Sequence, residues 1–253
     1  MPVSHPRISI VIPVRNEARN LELVLPRLPD VHQVVLVDGD SVDGSVDVAR
    51  RCLPGIETVA QTRTGKGNAL ACGFARVTGD VTIMFDADGS ADPAEIPRYV
   101  TALTDGADFA KGSRFRPGGG SEDITALRRV GNAALNLVTN RLMRTRFTDL
   151  CYGYNAFWTR VLGVLDLPPV DAPDRQWGDG FEVETLINCR IAAAGLRIAE
   201  VPSFERNRIH GVSNLDTFRD GFRVLRTILA EHRRSRRFPA CPTVPAELDP
   251  VVE

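Results

Sequence analysis

The chain has 253 residues, 43% of them hydrophobic and 25% charged, with a formal net charge of −1. That is the composition of a soluble α/β domain, and it excludes a global field drawing the protein onto nucleic acid. Five cysteines (Cys52, Cys72, Cys151, Cys189, Cys241) are widely spaced with no CxxC pair, which argues against a disulfide framework or zinc site and suits a reducing cytoplasm. The N-terminal apolar run is too short for a signal peptide, and no window approaches the ~18 apolar residues of a membrane span.

Taken in chain order, ISIVIPV (8–14), QVVLVD (33–38) and DVTIMFD (80–86) are near-continuous apolar runs, as expected of strands covered on both faces. NLELVLPRL, SVDVARRCL and GNALACGFARV read as intervening helices, and DFAKGSR (108–114) as a further strand. This alternation predicts an α/β fold with a mostly parallel, Rossmann-like central sheet. RPGGGSED (116–123) reads as a linker or, following Lys111 and Arg114, as a mobile lid. A helix is expected over roughly Thr125 to Met143. GDGFEVETLINCRIAAAG then reads as a helix closed by Gly195, and LRIAEVPS as a strand. A last basic helix over 214–237 ends a single domain spanning 1–237, before a Pro-rich tail (238–253) expected to be disordered.

The polar signals lie just beyond the strand ends, where ligands bind in such sheets. The most acidic is FDADGSADP (85–93). Residues i and i+2 at a strand end point the same way, so Asp86 and Asp88 converge. Unpaired, they would repel until one protonated. A hard divalent cation, Mg2+ or Mn2+, resolves that, while Asp92 is placed to cap the following helix. The only two lysines, Lys66 and Lys111, both stand beside glycines.

The ordered set PVRNE, VDGDSVDGS, GKGNAL, FDADGS and GSRF resembles family 2 glycosyltransferases of the GT-A fold. TDLCYGYNAF and RNRIHGVSN are similar to the dolichol- or polyprenyl-phosphate mannosyltransferase branch. The resemblance covers about residues 7 to 230. It implies a nucleotide-sugar-binding domain whose DXD motif, Asp86-Ala87-Asp88, holds a metal on the donor's diphosphate. It further implies that Pro13, Val14, Arg15 and Glu17 surround the nucleoside and that Asp38, with Asp40 nearby, meets the base. Lys66, Gly67, Lys111 and Arg114 would face the diphosphate and sugar, Arg128 or Arg129 the acceptor. Arg206, Arg208 and His210 would close over the pyrophosphate. A GDP-sugar is favoured over a UDP-sugar.

Asp179 and Glu182 flank a helix start and read either as capping charges or as a catalytic base; with Arg114 and Arg208 they complete the catalytic set. A polyprenyl phosphate would need no base, whereas a hydroxyl acceptor would. The sequence departs from the branch at Gly39, Ser90, Asn155 and Asn214. The last two remove cations expected beside a phosphate acceptor. They suit a second reading, a GDP-sugar-modifying enzyme without external acceptor, of the pyranose–furanose mutase type; a catalytically inactive nucleotide-sugar-binding protein is a third. In the last helix Phe218, Phe222, Leu225 and Leu229 recur at helical spacing beside many arginines. That suits either packing on the domain or peripheral contact with the inner membrane face.

Overall fold

The computed structural model describes residues 5–211 and 217–237. The Asn214 departure and the 238–253 tail lie outside the described residues, and so does the side chain of Phe218. Strands β1 (Ile8–Val14), β2 (Gln33–Asp38), β3 (Glu57–Ala60), β4 (Val81–Met84) and β5 (Phe109–Ser113) lead into a two-residue β6 (Gly120–Ser121). β7 (Asn155–Trp158), β8 (Ile198–Pro202) and β9 (Phe204–Glu205) follow. The seven-stranded sheet has the order β3-β2-β1-β4-β7-β5-β8. All its pairings are parallel except those of β7, which runs antiparallel to both β4 and β5. The expected mostly parallel sheet is therefore present, with β3 and β7 added to it. The ladder of β4 stops at Met84, short of the 80–86 run, because the chain turns away there into Asp86-Ala87-Asp88.

Among the described residues there are eight α-helices: α1 (Ala18–Val24), α2 (Ser45–Cys52), α3 (Lys66–Phe74), α4 (Ile96–Thr104), α5 (Ala126–Met143), α6 (Leu162–Leu165), α7 (Val183–Ala193) and α8 (Thr217–Arg237). Alternation along β1 splits the core. Ile10 and Ile12 join Leu36, Ile83, Leu21 and Tyr99 on one face, whereas Val11 joins Val35, Val37, Leu70 and Ile187 on the other. Thr125 caps α5 by accepting from the Arg128 N–H, and Asp92 caps the short 3-10 turn before α4 by accepting from the Ala94 N–H.

Two expectations are corrected. The glycine-rich 116–123 segment is anchored rather than free, since β6 pairs with β9. A Cβ on Gly119 would fall 2.5 Å from the Ser113 carbonyl oxygen, so the glycine permits close backbone approach. Helix α8 packs on the domain through Val224, Thr227, Ile228 and Glu231, while Phe222 remains 71% exposed and Leu229 40%. Glu231 occupies a buried position because Arg190 of α7 meets its carboxylate at 3.1 Å.

A third cluster, Phe147, Leu150, Cys189, Val224 and Ile228, joins α5, α7 and α8. Beside it, three asparagines one turn apart on α5 grip the backbone of 147–151. Asn140 donates to the Phe147 carbonyl and accepts from its N–H. Asn136 donates to the Thr148 carbonyl at 2.6 Å and accepts from the Leu150 N–H at 2.8 Å. Asn132 accepts from the Cys151 N–H and donates to the Asp149 carboxylate at 3.1 Å. Replacing Asn136 with Ala strands a buried N–H and a carbonyl. The expected loss is about 2 kcal/mol, read as a lower urea midpoint with unchanged slope.

Candidate active site

A cavity of about 1150 Å³ opens at the carboxyl ends of the strands. Of the expected nucleotide-side residues, Pro13, Val14, Arg15 and Glu17 line it from the β1 end, and Asp86, Ala87 and Asp88 from the β4 end. Lys66, at the start of α3, reaches across to the β4 turn. Its ammonium lies 2.8 Å from Asp86 and 2.8 Å from Glu184 on α7. Burial alone would lower the lysine pKa, but the two carboxylates outweigh it and hold the group firmly protonated. Lys66 is set there by backbone packing. A Cβ on Gly65 would stand 2.0 Å from the Asp179 carbonyl oxygen, and one on Gly67 1.8 Å from that of Gly178.

Opposite, Arg208 spans two carboxylates, at 3.0 Å from Glu17 and 2.8 Å from Asp88. Burial raises the Glu17 pKa, with Asp88 adding to the rise, beyond what Asn20 and Arg208 take away. Across these two clusters four carboxylates share two cations, leaving two negative charges. The Asp86–Asp88 repulsion anticipated from sequence is thus relieved by one cationic side chain on each.

The residues nonetheless fit a divalent cation. The donors are hard oxygens, the surplus charge matches, and the Asp86 side chain is 36% exposed. Among the described residues no cluster of three or more His, Cys, Asp or Glu could hold a metal. The pair therefore suits a cation shared with a diphosphate, and it does not suit a cage built of protein alone.

Arg114 also lines the cavity, but it is fully engaged. It forms a bidentate pair with buried Asp149 at 2.7 and 2.9 Å, meets Glu205 at 3.0 Å, and lies over the Tyr152 ring. Burial opposes its charge, yet Asp149 and Glu205 raise its pKa. Arg128 faces the cavity with Arg175, Arg219 and Arg223, next to apolar Leu135, Phe181 and Val224. Arg129 instead stacks on Phe115.

Other expected site residues are not brought to the cavity wall. Asp38 is paired in register with Val14 and accepts from the Ser41 N–H at 3.3 Å; Asp40 is exposed with φ 59°. The Gly67 N–H donates to the Asp179 carbonyl at 2.8 Å, so it is not offered to a phosphate. Lys111 lies on the expected strand, β5, one strand in from the edge of the sheet. It is fully buried and donates to the Gly112 and Tyr152 carbonyls at 3.0 and 2.6 Å. Burial brings its pKa down to about 8, against the opposing pull of Asp149 and Glu200. Arg206 pairs with Asp92 at 3.4 Å, and His210 contributes its carbonyl to Asn20.

The two candidate bases are both engaged by groups of the protein itself. The Asp179 carboxylate, 1% exposed, takes both Arg63 nitrogens at 2.8 and 2.9 Å and the Gln176 N–H at 2.7 Å. Glu182, also buried, accepts from the Gly178 N–H at 3.0 Å and lies 3.6 Å from Arg223. Asn155 is wholly buried on β7, so a cation at that position would not face the cavity.

Sequence reasoning passed over Glu184, Asp149 and Arg63. Glu184 left a signal: it is an acid in a helix buried from Val183 through Cys189, where a carboxylate needs a cation. Asp149 had a weaker signal, a single acid in an apolar run that needs a cation. Nothing local marks Arg63.

The profile described as "Glycosyl transferase family 2" matches residues 9–163. The undecaprenyl-phosphate mannosyltransferase of Micrococcus luteus is 33% identical over 206 residues, covering 78% of this chain and 82% of its own. The polyprenol monophosphomannose synthase of Mycolicibacterium smegmatis is 32% identical over 221 residues, covering 83% and 81%. Among solved structures, glucosyl-3-phosphoglycerate synthase from Mycobacterium tuberculosis, in complex with Mn2+, UDP and glucosyl-3-phosphoglycerate, superposes with a TM-score of 0.69. At 22% identity, covering 91% of this chain and 81% of that one, the likeness is one of fold.

The Arg63–Asp179 pair carries a pH signature. Burial pushes the Asp179 pKa up, but Arg63 and the Gln176 N–H outweigh it, so the folded value lies below the ordinary one. The unfolded chain therefore takes the proton more readily. The pair's stabilisation is complete above about pH 4 and is lost as pH falls through the folded value. Asp179→Asn should cost about 3 kcal/mol at neutral pH by leaving a buried guanidinium unmatched. In urea titrations its deficit against wild type should shrink below about pH 4.

Proposed function

The chain belongs to glycosyl transferase family 2, and on that premise we propose that it moves a sugar from a nucleoside diphosphate, GDP favoured over UDP, onto a polyprenyl phosphate with inversion. The observation that carries this reading is the paired cluster at the strand ends, two surplus negative charges bordered by arginines on a wall that is partly apolar. The names of the two relatives support a lipid-phosphate acceptor, and the mannose they carry supports a GDP-sugar. A divalent cation, Mg2+ or Mn2+, held by Asp86 and Asp88 would supply charge neutralisation at the donor's diphosphate.

The residues of the chain do the rest. Pro13, Val14, Arg15 and Glu17 border the nucleoside end of the cavity. Lys66, kept protonated by Asp86 and Glu184, faces the charge that grows on the leaving diphosphate. An acceptor phosphate oxygen forms the new bond to the anomeric carbon as the carbon–oxygen bond to the diphosphate breaks, its electron pair leaving on the β-phosphate. That nucleophile is already an anion, so no base is needed, in keeping with the engagement of Asp179 and Glu182 elsewhere. Arg128, Arg175, Arg219 and Arg223 supply cations for an anionic acceptor, and Leu135, Phe181 and Val224 supply apolar wall. No described helix is long and apolar enough to cross a membrane. Exposed Phe222 and Leu229, beside Arg226 and Arg233, offer a surface for peripheral contact.

The test is incubation with radiolabelled GDP- and UDP-sugars, Mn2+ and polyprenyl phosphate. Labelled lipid from the GDP donor is expected. No labelled lipid with any donor sinks the transfer reading, and an isomeric GDP-sugar formed without acceptor replaces it with internal rearrangement. Lys66→Met is expected to lower kcat by about 10²–10³-fold, in the range of losing one preorganised transition-state donor.

A further inference from the structure

The binding residues of this site are already satisfied by one another, and Asp88 is the extreme case. Its Oδ1 accepts from the Ser90 N–H at 2.9 Å, and its Oδ2 meets Arg208 at 2.8 Å. Glu17 is equally committed, with Oε1 on Arg208 and Oε2 on the Asn20 amide. The segment that carries Arg208 is strapped across the acidic turn by its backbone. The Arg206 N–H donates to the Ser90 carbonyl at 2.9 Å, and the Ile209 N–H to the Asp88 carbonyl at 3.1 Å. Ile209 fills the space over Gly89, where a Cβ would come within 2.4 Å of it.

We propose that Arg208 is an internal counter-ion that holds the place of the divalent cation on Asp88 and is handed to the donor's diphosphate when the two arrive together. The inference rests on the metal-dependent reading above. A cation arriving alone must evict a guanidinium from a partly buried carboxylate and leave it beside a second positive charge. Arriving with a nucleoside diphosphate, it brings the anion that takes Arg208 over. The two ligands are therefore strongly and reciprocally coupled, and free metal binds poorly. Arg208 thus sets binding order as well as contributing a contact.

The experiment measures Mn2+ binding by electron paramagnetic resonance, with and without saturating GDP, in wild type, R208Q and R208K. Wild type should bind Mn2+ weakly alone and much more tightly with GDP. R208Q should bind free Mn2+ about tenfold tighter or better, because a unit charge a few ångströms from the cation is gone, and its gain from GDP should shrink. R208K keeps the charge but cannot span both carboxylates; it should fall between, and it carries the test if R208Q does not fold. R141Q, which removes an exposed charge on α5 that does not line this cavity, should stay within about twofold of wild type. Free Mn2+ binding that is unchanged or weaker in both Arg208 variants, with GDP-dependent binding intact, overturns the counter-ion inference alone. No Mn2+ binding in any state, with or without GDP, overturns the metal-dependent reading as well.

Discussion

Lys66 between Asp86 and Glu184 ties the β4 turn to α7 across roughly a hundred residues of chain, and much of the site exists to keep that ammonium in place. A lysine half enclosed by protein holds its charge only where carboxylates compensate for lost water. Glu184, buried on α7, and Asp86, past the end of β4, in turn have their charges offset by the lysine. Gly65 and Gly67 let the start of α3 press its backbone against residues 178–180, and Arg63 with Asp179 holds that loop. A residue expected to move a proton is better understood as part of the mount for a residue that never gives one up.

The cavity wall around Arg114 has a parallel construction with different parts. Asp149 is buried and would be costly alone. Arg114 covers it with two hydrogen bonds, and Asn132 supplies a third contact. The guanidinium that results lies over Tyr152 and is tied to Glu205 as well. Here too the carboxylates outnumber the cation that joins them, two to one.

What was legible in the sequence is what depends on local pattern. The 8–14 and 33–38 runs are strands because they are apolar on both faces, Thr125 caps α5, and Asp92 caps a turn by its own side chain. Asp86 and Asp88 were marked by their pattern and both line the cavity, although they lie past the end of β4, where the chain has begun to turn. The illegible part is partner choice across long separations. Nothing near Asp179 tells that Arg63 lies beside it, and nothing near Lys111 tells that its glycine-flanked position is the interior of the sheet. β7 escaped notice because NAFW is short and antiparallel among parallel neighbours. The buried face of α8 was misjudged because Thr227 and Glu231, polar by type, are buried by context. Glu184 is the instructive omission, since an acid inside so apolar a helix already called for a cationic partner.

The asparagine ladder on α5 has a consequence for how this wall can diverge. Asn132, Asn136 and Asn140 address main-chain groups at almost every step, and amide-to-backbone bonds are indifferent to the side chain carried at the bonded residue. The amides hold the 147–151 segment in register, and its own side chains add to this at Asp149, at the core residues Phe147 and Leu150, and at Thr148, whose hydroxyl meets Glu200 and Ser113. Cys151, which faces the cavity, is held by its N–H alone. A wall clamped in this manner is a socket with an interchangeable tooth. The lineage is free to reshape the acceptor's surroundings at position 151 while the scaffold behind it stays the same.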